Sequence, residues 1–166
     1  MPSGGNSVLV QLELGQPFFL IDENLSHLYA RVFEALGFNI TSLREAFSGR
    51  RSVKDEELIP WLGKQGQHHA VWITQDILAS KTHAKLILAH SISILWIRSR
   101  KKQELTGLQE LQLLSMVIAH VRDLVASSAT PLYLWALLVG RRPKLEKLTS
   151  SLTSKKLEFQ KIQIPV

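Results

Sequence analysis

The chain has 166 residues, 45% of them hydrophobic and 20% charged, with no cysteine and a formal net charge of +6. That is the composition of one globular domain with a sizeable core, and it excludes an intrinsically disordered chain. The lack of cysteine excludes disulfides, thiolate zinc sites and cysteine nucleophiles, while the positive charge favours polyanionic partners.

Residues 1–16 form an N-terminal segment whose start, Met1 to Ser7, is small and polar, without the basic and apolar stretches of a signal peptide. No stretch reaches the roughly 18–20 apolar residues of a membrane span. A cytoplasmic protein without a membrane partner is expected. The folded body is expected over residues 17–148.

Phe18-Phe19-Leu20-Ile21 is a continuous apolar run, which predicts a strand buried on both faces and ending at Asp22-Glu23-Asn24. Leu25, Leu28, Tyr29, Val32, Phe33 and Leu36 recur at helical spacing and predict a helix with that face inward, closed by Gly37. Phe38 to Thr41 predicts a short second strand, and Ser42 to Arg51 a loop with one helical turn. A helix is expected from Lys54 or Asp55 to Lys64, with Leu58, Ile59 and Leu62 inward and Gly66 ending it. Pro60 within it removes a backbone donor.

Ala70 to Thr74 predicts a third buried strand, ending just before Gln75-Asp76. A short helix is expected over His83 to His90 and a strand over Ile92 to Ile97. Thr106 and Gln109 have capping-box spacing and predict a long helix to about Ala126. Its core face would hold Leu111, Leu114, Ile118, Val121 and Val125. Leu132 to Val139 predicts a last strand. From Thr149 the composition turns to Ser, Thr, Lys and Gln, which predicts a basic, polar tail over residues 149–166. Alternating strands and helices predict an α/β fold, three-layer α/β/α with a mainly parallel central sheet, whose sites form outside the carboxyl ends of the strands.

Asp22 directly follows the first strand, Asp76 comes two residues after the third, and Asp55 opens a helix packed on the same sheet. Carboxylates converging at one sheet edge repel unless a cation neutralises them. Oxygen ligands of this kind suit Mg²⁺ or Mn²⁺, which can activate water for attack on a phosphodiester. Each aspartate also has a purely structural explanation. Ser52 and Asp55 have capping spacing, and Asp22 and Asp76 can cap the segments that follow them. It is the coincidence of the three that favours a metal site.

In order and spacing, Phe18-Phe19-Leu20-Ile21-Asp22-Glu23-Asn24-Leu25, then Asp55-Glu56-Glu57-Leu58-Ile59, Gly66 and Trp72-Ile73-Thr74-Gln75-Asp76 resemble the motifs of PIN-like domain ribonucleases, in particular the branch of VapC-type toxins. The resemblance covers about Pro17 to Ile97. It implies a Mg²⁺- or Mn²⁺-dependent endoribonuclease, often the toxin partnered by an antitoxin protein and often a homodimer. Carried over by motif, Asp22, Asp55 and Asp76 would be the catalytic metal ligands. Thr74 would support the Asp76 carboxylate, and Glu56 would substitute for or assist Asp55. Many relatives carry one more acid after the last motif aspartate. Here Ile77, Leu78, Ala79 and Ser80 stand there, so no fourth ligand is assigned.

Arg98, Arg100, Lys101 and Lys102 follow one predicted strand, and Arg141, Arg142 and Lys144 follow another. If those strands run parallel to the first, both clusters rim the acidic edge and suit an RNA backbone, with Arg98 to Lys102 the better candidate and Arg50 and Arg51 weaker ones. His68 and His69 are read as loop residues, and His83 and His90 as packing or surface groups. The four tryptophans are read as core. There is no P-loop, G-x-G-x-x-G or nucleophile elbow. Two alternatives stay open: a catalytically weakened PIN-like module that binds RNA or a protein, and a phospho-acceptor receiver domain. The second is disfavoured because Arg98 stands where a lysine is needed.

Overall fold

The computed structural model describes residues 16–48, 50, 52–66, 69–98 and 104–165. Strands without a polar side can lie only inside a sheet that is covered on both faces. Such are β1 (Phe18–Ile21), β3 (Ala70–Thr74) and β4 (Ser93–Ile97), the last two buried at every residue. They occupy the middle of a seven-stranded sheet of order β2-β1-β3-β4-β5-β6-β7, where β2 is Ile40–Ser42, β5 is Tyr133–Val139, β6 is Arg142–Leu148 and β7 is Phe159–Ile162.

The first five strands pair in parallel, with Phe19 opposite both Ile40 and Val71, and Leu95 opposite Leu134. β6 and β7 turn antiparallel. The β5–β6 hairpin has a two-residue turn, and Gly140 supplies the positive φ of +65° that such a turn needs.

Alternation along the strands sorts side chains into two cores. Phe19, Ile21, Val71, Ile73 and Leu95 pack with helices α1 (Leu28–Ala35) and α6 (Gly107–Ser127). Leu20, Trp72, Ile94 and Trp96 pack on the opposite face with α3 (Asp55–Gly66) and α5 (Ala84–Ala89). The result is three-layered α/β/α, as the strand–helix alternation predicts. Short helices α2 (Leu43–Ala46) and α4 (Ile77–Thr82) sit after β2 and β3. The capping box is present: Gln109 N–H donates to Thr106 Oγ1 and Thr106 N–H to Gln109 Oε1.

Some expectations change. The buried face of α1 is Tyr29, Ala30 and Phe33, while Leu28, Val32 and Leu36 are exposed, because the helix tilts its aromatic residues onto the sheet. In α6, Leu113 and Val117 join the core and Leu111 is only partly buried. α3 runs through Pro60, which leaves the Glu56 carbonyl without its usual intrahelical donor. Residues 149–165 are not a free tail. Phe159–Ile162 covers the open edge of β6, Leu152 is buried, and the Phe159 ring meets Trp96 and Trp135 edge-on at 6.0 and 5.1 Å. A few apolar anchors in polar sequence suffice to close a sheet edge. Among the described residues, no helix is long and apolar enough to cross a membrane.

Candidate functional site

From β1 the chain goes to β2 on one side and returns to β3 on the other, so the carboxyl ends of β1 and β3 flank a topological switch point. Asp22 lies there. Its N–H donates to Ile73 O at 3.0 Å, which carries the β1–β3 pairing one residue further and sets Asp22 beside Thr74. Both are buried, at 8% and 0% exposure. Thr74 Oγ1 donates to Asp22 Oδ2 at 2.6 Å, Asn24 Nδ2 reaches the same oxygen at 3.2 Å, and Glu23 N–H donates to Oδ1 at 2.8 Å. Thr74 Oγ1 in turn accepts from Asn24 Nδ2 and Asp76 N–H, both at 3.1 Å. The threonine therefore supports the Asp22 carboxylate and the Asp76 backbone rather than the Asp76 carboxylate. Register decides this, since Thr74 faces the same side of the sheet as its neighbour on β1.

Burial is the main force raising the Asp22 pKa. The bonds from Thr74 and Glu23 N–H oppose it, and the charges of Asp55 and Glu23 add to it. Asp55, at the start of α3, is likewise raised mainly by burial and further by Glu56 and Asp76, against a lowering by His83. His83 Nε2 lies 3.3 Å from Asp55 Oδ2, so this histidine is a carboxylate partner and not a bystander. Glu56 is exposed. Asp76 Oδ1 accepts from Ala79 N–H at 2.8 Å and caps α4, the structural role its position allows.

The structure thus links the three aspartates electrostatically at one sheet edge. Their chemistry, carboxylate oxygens throughout, fits a hard divalent cation: the charge of Asp55 raises the Asp22 pKa, and that of Asp76 raises the Asp55 pKa. Their positions are more open. Among the described residues, no three His, Cys, Asp or Glu side chains stand close enough to hold one ion. Asp76 is turned to its helix cap and Asp55 to His83.

A further carboxylate that sequence reasoning missed lies on the other side of the switch point. Gln75 Nε2 donates to Glu110 Oε1 at 2.7 Å, Tyr29 OH donates to Glu110 Oε2 at 2.7 Å, and Gln75 N–H donates to Asn24 Oδ1 at 3.3 Å. Glu110 is therefore connected through Gln75 and Asn24 to Asp22. The available signal was the capping box, which places the first turn of α6, and with it Glu110, after the carboxyl end of β4.

Beside Asp22 opens a hollow of about 400 Å³, lined also by His27, Ser42, Arg44 and Arg50. Arg50 is engaged by Glu57, at 2.9 and 3.3 Å. On the opposite flank Arg98 is exposed just beyond β4, while Arg100, Lys101, Lys102, Arg51 and His68 lie outside the described residues. Arg141 and Arg142 lie at the β5–β6 turn, on the same edge as the aspartates, and Lys144 pairs with the buried Glu146 at 2.8 Å. Trp72 and Trp96 are fully buried, and Trp61 and Trp135 pack against the same core.

A family model described as PIN like domain matches residues 17–99, the segment from β1 to just past β4. No curated protein and no solved structure matches the chain.

Proposed function

The chain belongs to the PIN-like domain family, and from that premise we propose that it is a divalent-metal-dependent endoribonuclease whose metal ligands would be Asp22, Asp55 and Asp76, drawn together on binding the ion from the open placement described above. The observation that carries the proposal is Asp22 itself: a buried carboxylate fixed by three hydrogen bonds at the switch point, with the charge of Asp55 acting on it. An ionised group is costly to bury without a compensating cation. A bound Mg²⁺ or Mn²⁺ would supply a Lewis acid toward the phosphoryl oxygen and a water of lowered pKa. The protein's own part is to hold the donors ready. Thr74 and Asn24 lock Asp22, the Asn24–Gln75–Glu110–Tyr29 chain braces that lock against α1 and α6, and His83 steadies Asp55. The resemblance to VapC-type toxins extends the proposal to a toxin silenced by an antitoxin protein.

The test is cleavage of a broad set of single-stranded and structured RNAs with Mg²⁺ or Mn²⁺. Activity should vanish with chelator and in Asp22→Asn and Asp76→Asn. A folded protein that cuts none of them with either metal ends the proposal. The second reading is a module that binds RNA without cutting it, and the open placement of the three aspartates favours it. It predicts salt-sensitive RNA binding that survives Asp22→Asn and ignores the metal.

A further inference from the structure

We propose that Arg44 holds a phosphate flanking the one that is cut, so that the RNA strand leaves the aspartate edge over β2. This deepens the ribonuclease reading and rests on it.

The hollow beside Asp22 does not stop at Arg44. A second hollow of about 340 Å³, lined by His27, Arg31, Arg44, Glu45 and Ser48, adjoins it, and His27 and Arg44 line both. The two together run from the buried carboxylate across the end of β2 and between α1 and α2. Three arginines border that run, and two of them are engaged. Arg31 pairs with Glu45 at 2.8 Å, and Arg50 pairs with Glu57 at 2.9 Å. Arg44 is exposed and, among the described residues, makes no ion pair or side-chain hydrogen bond. An uncompensated guanidinium shared by two open hollows offers a planar fork of donors to phosphate oxygens.

Sheet geometry favours this side over the rim expected from sequence. β2 lies next to β1, one strand spacing of about 4.8 Å away, whereas Arg98 follows β4, two spacings away, and Arg141 follows β5, three away. A phosphate next to one at Asp22 meets Arg44 before it meets either of those.

The test is binding of a short fluorescein-labelled single-stranded RNA, followed by anisotropy in chelator across a salt series, for wild type, Arg44→Gln, Arg44→Lys and Arg98→Gln. Circular dichroism checks that each variant folds. Arg44→Gln should weaken binding roughly tenfold, as loss of a charge-assisted contact does, and should flatten the salt dependence by about 0.7 in log–log slope. Arg44→Lys should keep that slope. Under turnover with metal, Arg44→Gln should raise KM and spare kcat. If Arg44→Gln keeps wild-type affinity and slope while metal-dependent cleavage persists, this proposal falls and the ribonuclease reading stands. If wild type neither binds nor cuts RNA, both fall.

Discussion

Replacing Thr74 by Val tests the core of the site at nearly constant volume. The hydroxyl is fully buried, gives Asp22 its shortest hydrogen bond at 2.6 Å, and accepts from Asp76 N–H and Asn24 Nδ2. A bond to an ionised acceptor contributes roughly 1.5–3 kcal/mol, and leaving the Asp76 N–H without its acceptor costs about 1 more. The extra methyl returns less than about 1 kcal/mol. Thr74→Val should therefore cost about 2–3 kcal/mol at neutral pH in metal-free protein. The sign with pH follows from which form of Asp22 the hydroxyl favours. Thr74 lowers the Asp22 pKa, so it stabilises the ionised carboxylate, and its removal raises that pKa further. The gap between wild type and variant should be widest at neutral pH and narrow as pH falls through the folded-state pKa of Asp22. The assay is urea unfolding of chelator-treated protein at neutral and mildly acidic pH, with equal m values required. A gap below about 0.5 kcal/mol, within the range of surface substitutions, would refute the reasoning. So would a gap that does not change with pH.

Two further outcomes are expected. The folded-state pKa of Asp22 is raised, so the folded protein binds the proton more tightly than the unfolded chain, and this residue's contribution to stability falls as pH rises through that pKa. Comparing metal-free wild type with Asp22→Asn, the relative stability of wild type should therefore improve on acidification, read as the difference in Tm between neutral and mildly acidic pH. Phe159→Ala should cost about 2 kcal/mol, below the 3–5 typical of full burial because the ring is only partly covered. A free tail would give no change in the urea midpoint.

The sheet was legible because its middle strands are almost wholly apolar on both faces, with no charged residue, so Phe18–Ile21 and Ala70–Thr74 could sit nowhere else. The aspartates were legible as residues at the ends of such runs. Their mutual arrangement was not, since side-chain aim depends on register, which gave Thr74 to Asp22, and on local competition, which gave one Asp76 oxygen to a helix cap. The face of α1 was misjudged because Leu28, Val32 and Leu36 keep helical spacing as regularly as Tyr29 and Phe33 do. β7 was hidden because an edge strand needs only one packed side, and Phe-Gln-Lys-Ile shows little hydrophobic pattern. The Arg44 hollow was hidden because α2 has four residues, too few to show a period.

Binding of Mn²⁺ to metal-free protein by calorimetry, in parallel for wild type, Asp22→Asn and Asp76→Asn, probes the aspartate edge without depending on the right RNA. One Mn²⁺ per chain, lost or greatly weakened in both variants and weaker at acidic pH as the carboxylates protonate, is the result expected. No binding at millimolar Mn²⁺, or binding indifferent to both substitutions, would contradict it.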